Sequence, residues 1–565
     1  MPKWSPDGSR LAFLSSASGQ TTRLWIDTEA VLSDVRGFAW SPDGRSLAYT
    51  TAEPEEESER QRRELGWDEI HVRPSGPDQA GRPVQLRILE IATKRDWPVH
   101  IDGHRILDYD WAPDASGLLV TSTALADLEQ LHHKLFVVSR SGGTPNQYCA
   151  TKGKVLGASF SPDGKSIAYL GNTDGASDPF PGALYVCHGP RSQPKNLISG
   201  APFTVESFRW LPDSKSFIVV MTEGAHRSLA RMSWDGRVAR LTHPPFEVAF
   251  RSPYGVSQDG RKIACVLSTA SQPPDVWLVG SDGGQKRLSA LNPQLATRSY
   301  GQSEEFRWTA SDGTGISGVL IRPVDYCSSA RYPLVVQVHG SQVADTTEFQ
   351  GSWMNWGQLL ASRGYIVLLP NYRGSLTSGA HFARANQGDL GGRDLQDIMD
   401  GIGALIRAGI ADPDRIGIGG ASYGGFLSAL AVTRSTRFKA AVTGLGISDW
   451  ISMAGQTPGP LGMVAFYWLH SPYERTDLFW NRSPLAHARK IRTPTFIYAG
   501  ENDPLVPVSQ GREFFRALRY FGVPTEFVVY PREGHSVVEP NHLTQNLNAI
   551  LGWFDRYIRG RALLN

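Results

Sequence analysis

Cysteine is scarce in this chain: four residues in 565, at Cys149, Cys187, Cys265 and Cys327. No two of them have the spacing of a zinc site or a redox pair, and no His-Glu-x-x-His run occurs, so no metal is expected. The four read as buried or half-buried thiols. A run of 18 apolar residues is also missing, so no segment is expected to span a bilayer. The start, Met1-Pro2-Lys3-Trp4, lacks the basic region, apolar core and small-residue cleavage site of a secretory signal. Neither sign of charge dominates: 57 Lys and Arg stand against 55 Asp and Glu, a formal net charge of +2. A nucleic-acid binder normally carries a basic excess or stripe, so no nucleic-acid partner is expected. These absences point to a cytoplasmic protein.

What is present suffices for sizeable cores. Hydrophobic residues make up 41% and charged residues 20%, and 565 residues suggest two to four domains. Internal repetition organises the first half. Trp4-Ser5-Pro6-Asp7-Gly8 returns as Trp40-Ser41-Pro42-Asp43-Gly44, Trp111-Ala112-Pro113-Asp114, Phe160-Ser161-Pro162-Asp163-Gly164 and Trp210-Leu211-Pro212-Asp213, with Val256-Ser257-Gln258-Asp259-Gly260 weaker. In each copy Pro presets φ, Asp bonds its own backbone and Gly takes positive φ, which makes a tight hairpin turn. Short apolar strands follow, such as Ser166–Leu170 and Lys262–Leu267. Units of about 40–50 residues with several short strands are propeller blades, and six to seven blades are expected over residues 1–295. The charged insertion Glu53–Arg73 reads as a solvated face or loop. The first copy begins at residue 4, so the first blade is expected to lack its outer strands.

The pattern changes near residue 295. A hairpin around Asp312-Gly313 is followed by apolar strands alternating with helical stretches, which predicts a mostly parallel, doubly wound sheet over residues 296–565. Strands are expected at Leu334–Val338, Ile366–Leu369, Arg415–Gly419, Ala440–Thr443, Thr495–Tyr498 and Glu526–Tyr530. Helices are expected at Asp394–Ala408, Tyr423–Thr433, Ser509–Phe521 and Leu543–Arg559.

Gly420-Ala421-Ser422-Tyr423-Gly424 sits between a strand and a helix, the setting of the nucleophile elbow of an α/β hydrolase. Strand Thr495–Tyr498 runs into Asp503 and strand Glu526–Tyr530 into His535. The order Ser, acid, His and the placement after strand ends are those of a hydrolase triad, with His535 as proton carrier and Asp503 orienting it. An oxyanion hole would use the backbone N–H of Tyr423 and, after strand Leu334–Val338, that of Ser341. Other motifs fail. Gly417-Ile418-Gly419-Gly420-Ala421-Ser422 ends in Ser where a dinucleotide fingerprint needs Gly, and Gly164-Lys165-Ser166 has Ser159 where a phosphate loop needs Gly. No cofactor is expected.

A propeller followed by Asn371-Tyr372-Arg373-Gly374-Ser375, Gly419-Gly420-Ala421-Ser422-Tyr423-Gly424-Gly425, Asp503-Pro504-Leu505-Val506-Pro507 and Gly534-His535 resembles the prolyl oligopeptidase family of serine peptidases. The resemblance is closest to its acylaminoacyl-peptidase and dipeptidyl-peptidase-like bacterial branch. It implies a Ser422–Asp503–His535 triad, a propeller that filters large substrates, and short peptides or acyl-peptides as partners; a homo-oligomer is compatible with it. The sequence departs from the family in three places. Family members usually begin with a segment that precedes the propeller. The oxyanion loop is often His-Gly-Gly-Pro and here is His339-Gly340-Ser341-Gln342. Two residues after the catalytic Asp the family tends to carry Arg or Asn, which bonds a substrate carbonyl, and here stands Leu505.

Three functions follow. The first is an exopeptidase that releases an acyl-amino acid or a dipeptide from the amino end, with Glu55 and Glu56 of the insertion available to a free amine. The second is an esterase or other acyl hydrolase, favoured by Leu505, with Phe466, Tyr467 and Trp468 of the apolar run Leu461–Leu469 as an acyl pocket or, as readily, a packed helix. The third is a propeller binding protein with a silent hydrolase half, which a complete triad argues against.

Overall fold

The structure is a computed structural model that describes residues 2–16, 22–53, 57–66, 84–125, 132–172, 182–341, 347, 356–457 and 467–560. Six antiparallel sheets come first, the blades of a propeller, and a mixed α/β sheet follows. By packing, the chain forms two compact units, Met1–Ser199 with Trp210–Ser216 and Trp234–Gly236, and the remaining residues. No helix among the described residues is long and apolar enough to cross a membrane.

The first sheet holds Lys3–Trp4, Leu11–Ser15, Arg23–Ile26 and Glu29–Ser33, a full set of four strands where the sequence suggested a shortened blade. Its innermost strand is only two residues long, which is all the repeat leaves before its turn. The next four sheets also have four strands each, opening on Val35–Trp40, His104–Trp111, Val155–Phe160 and Thr204–Trp210. The sixth splits its first strand, so that Glu247–Val248 and Gly255–Val256 both pair with Lys262–Ser268. Second strands such as Ser166–Gly171 and Ser216–Glu223 are buried on both faces, which explains their nearly unbroken apolar sequence.

The repeated motif has a specific geometry. In all six copies the Asp carboxylate accepts the N–H two residues on, from Ser9, Arg45, Ser116, Lys165, Lys215 and Arg261. Where Ser precedes Pro or Gln, its hydroxyl accepts an amide five residues on, as Ser46 N–H to Ser41 Oγ at 2.9 Å. The aromatic residue has a separate duty. The Trp40 indole donates to Lys3 O at 3.1 Å, Trp111 to Ala39 O at 3.2 Å and Trp210 to Ser159 O at 3.3 Å. Each of these tryptophans is thus tied to the innermost strand of the preceding sheet, a bond that the phenyl ring of Phe160 in the fourth copy cannot make. Within the charged insertion, Glu57–Glu64 is a helix, with Arg60 paired to Glu57 and Glu64 at i,i+3 and i,i+4 spacing. Its lack of an apolar face concealed it in the sequence.

The α/β sheet comprises β1 (Ser303–Thr309), β2 (Gly315–Ile321), β3 (Tyr332–Val338), β4 (Ile366–Asn371), β5 (Ala411–Ala421), β6 (Phe438–Gly444), β7 (Thr495–Gly500) and β8 (Thr525–Tyr530). Its order is β1-β2-β4-β3-β5-β6-β7-β8, antiparallel up to β4 and parallel beyond. Helices α1 (Arg393–Arg407), α2 (Tyr423–Arg434), α3 (Val508–Tyr520) and α4 (Pro540–Arg559) begin and end within three residues of expectation. Side chains alternate between two cores, as period-two strands require. Leu334, Val336, Ile366 and Leu368 join one with Leu395 and Phe426, while Val335, Val367 and Leu369 join the other with Trp553 and Phe554. Helices therefore cover both faces, and strand ends are left free for a site.

Two copies of the turn lack glycine at the left-handed position: Ala115 has φ 58° and Ser214 φ 53°, where Gly44 has 68°. A β-carbon there costs about 1–2 kcal/mol, against about 0.5–1 kcal/mol for glycine's extra chain entropy. Ala115→Gly is expected to stabilise by up to about 1 kcal/mol and Gly44→Ala to destabilise by a similar amount, read as opposite shifts of the urea midpoint. A lowered midpoint for Ala115→Gly would contradict this account of the turn.

Candidate active site

Strand β5 ends in a turn that ordinary residues avoid. Ser422 has φ 59° and ψ −124°, outside the regions open to a residue with a side chain. The turn is held from both sides. Ser422 N–H donates to Gly444 O at 2.9 Å, and its carbonyl accepts Phe426 N–H at 3.0 Å as α2 begins. Beneath it the chain passes so close to β3 that a β-carbon on Gly420 or Gly424 would collide with Val338 O. These glycines are what allow the serine to stand at the mouth of α2, whose first amides have no partner within the helix.

The other two groups leave the ends of β7 and β8. His535 Nε2 lies 3.0 Å from Ser422 Oγ, and Nδ1 lies 2.7 Å from Asp503 Oδ2. The second Asp503 oxygen accepts the amides of Leu505 at 2.8 Å and Val506 at 3.0 Å, which fixes the plane of the carboxylate. The Asp503 side chain is wholly buried. The His535 loop is braced from behind by buried Glu533, which accepts the amides of Val538 and Glu539 and pairs with His542 Nδ1 at 3.0 Å. Glu533, Glu539 and His542 offer ligand atoms within 4.8 Å of one another, the one such group among the described residues. Arg532 already holds Glu539 through both guanidinium contacts, so the group is complete as an ion-pair cluster.

The loop after β3 approaches the nucleophile: a β-carbon on Gly340 would come 3.1 Å from that of Ser422. Ser341 follows with φ 61°, the left-handed conformation that a glycine would ordinarily supply. The loop is supported by the Asn371-Tyr372-Arg373-Gly374-Ser375 segment. The Tyr372 hydroxyl donates to His339 O at 3.0 Å and lies 3.3 Å from Ser341 O, its ring stacks on His339 at 4.3 Å, and Ser375 Oγ meets His339 Nε2 at 2.9 Å. Burial pushes the His339 imidazole down to about 4, so it is neutral at physiological pH. Arg373 anchors the segment through Asp397 and Asp312. Below α2, the Tyr423 hydroxyl donates to Asp394 Oδ2 at 2.5 Å. Asp394 is fully buried, and burial pushes its carboxyl up to about 6 against the opposing pull of Tyr423 and two backbone amides.

Of the residues singled out from the sequence, Ser422, Asp503 and His535 come together, with Tyr423 and Ser341 beside them. Leu505 is half exposed, at 50%. Tyr467 and Trp468 are buried in the core, Trp468 against Trp450 and Phe479. Phe466, Glu55 and Glu56 lie outside the described residues. Cys149, Cys187 and Cys265 are buried as expected, whereas Cys327 is exposed. The supporting residues Asp394, Glu533 and His339 were not recognised. An acid at a helix start after Gly391-Gly392, and an acid two positions before His535, were the available signals.

A serine hydroxyl on an imidazole, the imidazole on a buried carboxylate, and backbone amides at a helix mouth together provide for acyl transfer through a covalent ester. The comparisons agree. A family model, the prolyl oligopeptidase family, matches residues 352–561. An uncharacterised peptidase of Bacillus subtilis, YuxL, is 28% identical over 99% of this chain and 90% of its own. Dipeptidyl-peptidase 5 of Porphyromonas gingivalis is 25% identical over 99% and 86%. Among solved structures, the acylaminoacyl peptidase of Pyrococcus horikoshii superposes with a TM-score of 0.80 at 20% identity, over 99% of this chain and 88% of that one, which supports the fold. With a family model matching residues 352–561 and peptidase relatives similar over the whole chain, the catalytic half is that of a serine peptidase of the prolyl oligopeptidase family.

Proposed function

We propose that the chain hydrolyses short peptides near their amino end, releasing an acyl-amino acid or a dipeptide, with Ser422 as nucleophile. The observation that carries this is the unbroken hydrogen-bond chain from Ser422 Oγ through His535 to Asp503, at 3.0 and 2.7 Å. The relatives named as acylaminoacyl and dipeptidyl peptidases support the substrate class.

His535 Nε2 takes the hydroxyl proton as Ser422 Oγ bonds the scissile carbonyl carbon. The oxygen of that carbonyl becomes an oxyanion, which the amides of Tyr423 and Ser341 stabilise. His535 then returns the proton to the leaving nitrogen as the C–N bond breaks, leaving an ester on Ser422. Water repeats the sequence, releasing the acid and restoring the serine. Asp503 accepts from Nδ1 throughout, holding the ring in the right tautomer and stabilising its cation.

Leu505 favours a second reading on the same machinery, an esterase. Its half-exposed apolar side chain stands beside the triad acid and cannot bond a peptide carbonyl. Esters depend less on such a bond, because their leaving group is better.

Three substrates separate the readings: an N-acetyl-aminoacyl anilide, a free-amine dipeptidyl anilide and a short-chain nitrophenyl ester, each with Ser422→Ala as control. We expect Ser422-dependent hydrolysis of at least one anilide; turnover of the ester alone would replace the peptidase reading with the second. Asp503→Asn keeps the shape of the acid and is expected to lower kcat by about 10⁴-fold with little change in KM. A reduction of less than tenfold would mean that Asp503 does not orient His535.

A further inference from the structure

The turn at Ser422 is strained, and strain of this kind persists only where the surroundings over-determine it. The glycines around it create room but exert no hold. The residue that follows, Tyr423, is the first of α2, and its amide is the proposed oxyanion donor. Its phenol is fully buried and ends on Asp394 at 2.5 Å. Asp394 also accepts Gly391 N–H at 3.2 Å and Leu395 N–H at 2.7 Å. Three donors and no acceptor thus converge on one carboxylate, an arrangement that only the ionised form satisfies completely.

Resting on the triad reading, we propose that Asp394 is a positioning residue for the reaction: through the Tyr423 phenol it fixes the first residue of α2, and so aims the amide that stabilises the oxyanion. Asp394 lies at the start of α1, so this bond pins the mouth of α2 to a second helix. The residue touches no substrate and acts only through Tyr423.

The charged and titratable neighbours fit a carboxylate that changes state in the working range. Asp389 repels it, and Asp389 is itself paired with Arg482 at 2.6 Å. Arg434 of α2 attracts it while donating to Gly391 O at 2.8 Å. The buried phenols of Tyr423 and Tyr372 are both pushed well up by burial and by the Asp394 charge, so they stay protonated and remain donors. With Asp394 raised to about 6, its ionised form is complete at pH 8 and is lost as pH falls through 6. Protonation sets a hydroxyl against the converging donors and weakens the hold on Tyr423.

The test follows the rate at which a fluorophosphonate modifies Ser422 in the full-length protein, from pH 5 to 9. That reaction forms an oxyanion and needs no knowledge of the peptide substrate. Wild type, Asp394→Asn, Tyr423→Phe and the double variant are compared. The acid limb of the wild-type profile is expected to contain the proton of Asp394, and so to be steeper by one proton than that of a variant lacking the carboxyl. Asp394→Asn should make that limb shallower by one proton and give a rate at pH 8 about 10–100-fold lower, less than the 10²–10³ lost when an oxyanion donor is removed outright. Tyr423→Phe should give the same profile, and the double variant should be no slower than the slower single one. An unchanged rate and an unchanged acid limb in Asp394→Asn would overturn the proposal, as would multiplying losses in the double variant. If Asp394→Asn does not fold, Tyr423→Phe alone decides, since it removes the hydroxyl while keeping the buried ring. A wild-type protein that is not labelled at all would instead overturn the triad reading.

Discussion

One backbone conformation governs the catalytic half. Ser422 is held at φ 59° where the chain turns from β5 into α2, and everything around it follows from that constraint. The strand below must approach so closely that only glycine fits at 420 and 424. The helix must begin at once, so its free amides face the serine hydroxyl. Because the neighbouring strands β6, β7 and β8 run parallel to β5, the loops that carry Asp503 and His535 open on the same edge. A relaxed turn at this position would leave three correctly chosen side chains with nothing to do together.

Polar groups without a catalytic step of their own keep the reactive ones in place. Asp503 spends one oxygen on two backbone amides and reserves the other for His535. Glu533 ties down the loop beyond His535. Tyr372 and Ser375 do the same for the loop that brings Ser341 to the nucleophile. Buried polar groups of this kind are costly unless every one is satisfied, and satisfied ones are rigid. The site is accordingly preorganised, which is where most of the effect of an oxyanion hole originates.

The sequence was legible where chemistry is local. The Pro-Asp turns, the elbow at Ser422 and the strand-end positions of Asp503 and His535 each follow from a handful of adjacent residues with fixed stereochemical demands. Ser341 followed from its place after an apolar strand. What escaped is of two kinds. Asp394 acts across the fold on Tyr423, 29 residues away, and Glu533 on an amide pair five and six residues on, and the flanks of neither name the partner. The helix Glu57–Glu64 has charge on every face and owes its form to i,i+3 and i,i+4 pairs, which hydrophobic periodicity does not register. The aromatic residue of the repeat was visible, but its hydrogen bond to the preceding sheet was not.

That indole bond is not made at every seam. Where the fourth sheet meets the third, the repeat carries Phe160, which has no N–H to offer, and a cleft of about 1120 Å³ lies there between Ala112, Pro113, Tyr148 and Phe160. This seam is closed by other groups: the Tyr148 hydroxyl donates to Lys165 O at 3.3 Å, Arg191 N–H donates to Tyr148 O, and His133 Nδ1 lies 3.1 Å from Val155 O. The seams are thus held by different chemistry, so a substitution that removes the indole of Trp40, Trp111 or Trp210 takes a bond from its own seam and leaves this one as it was.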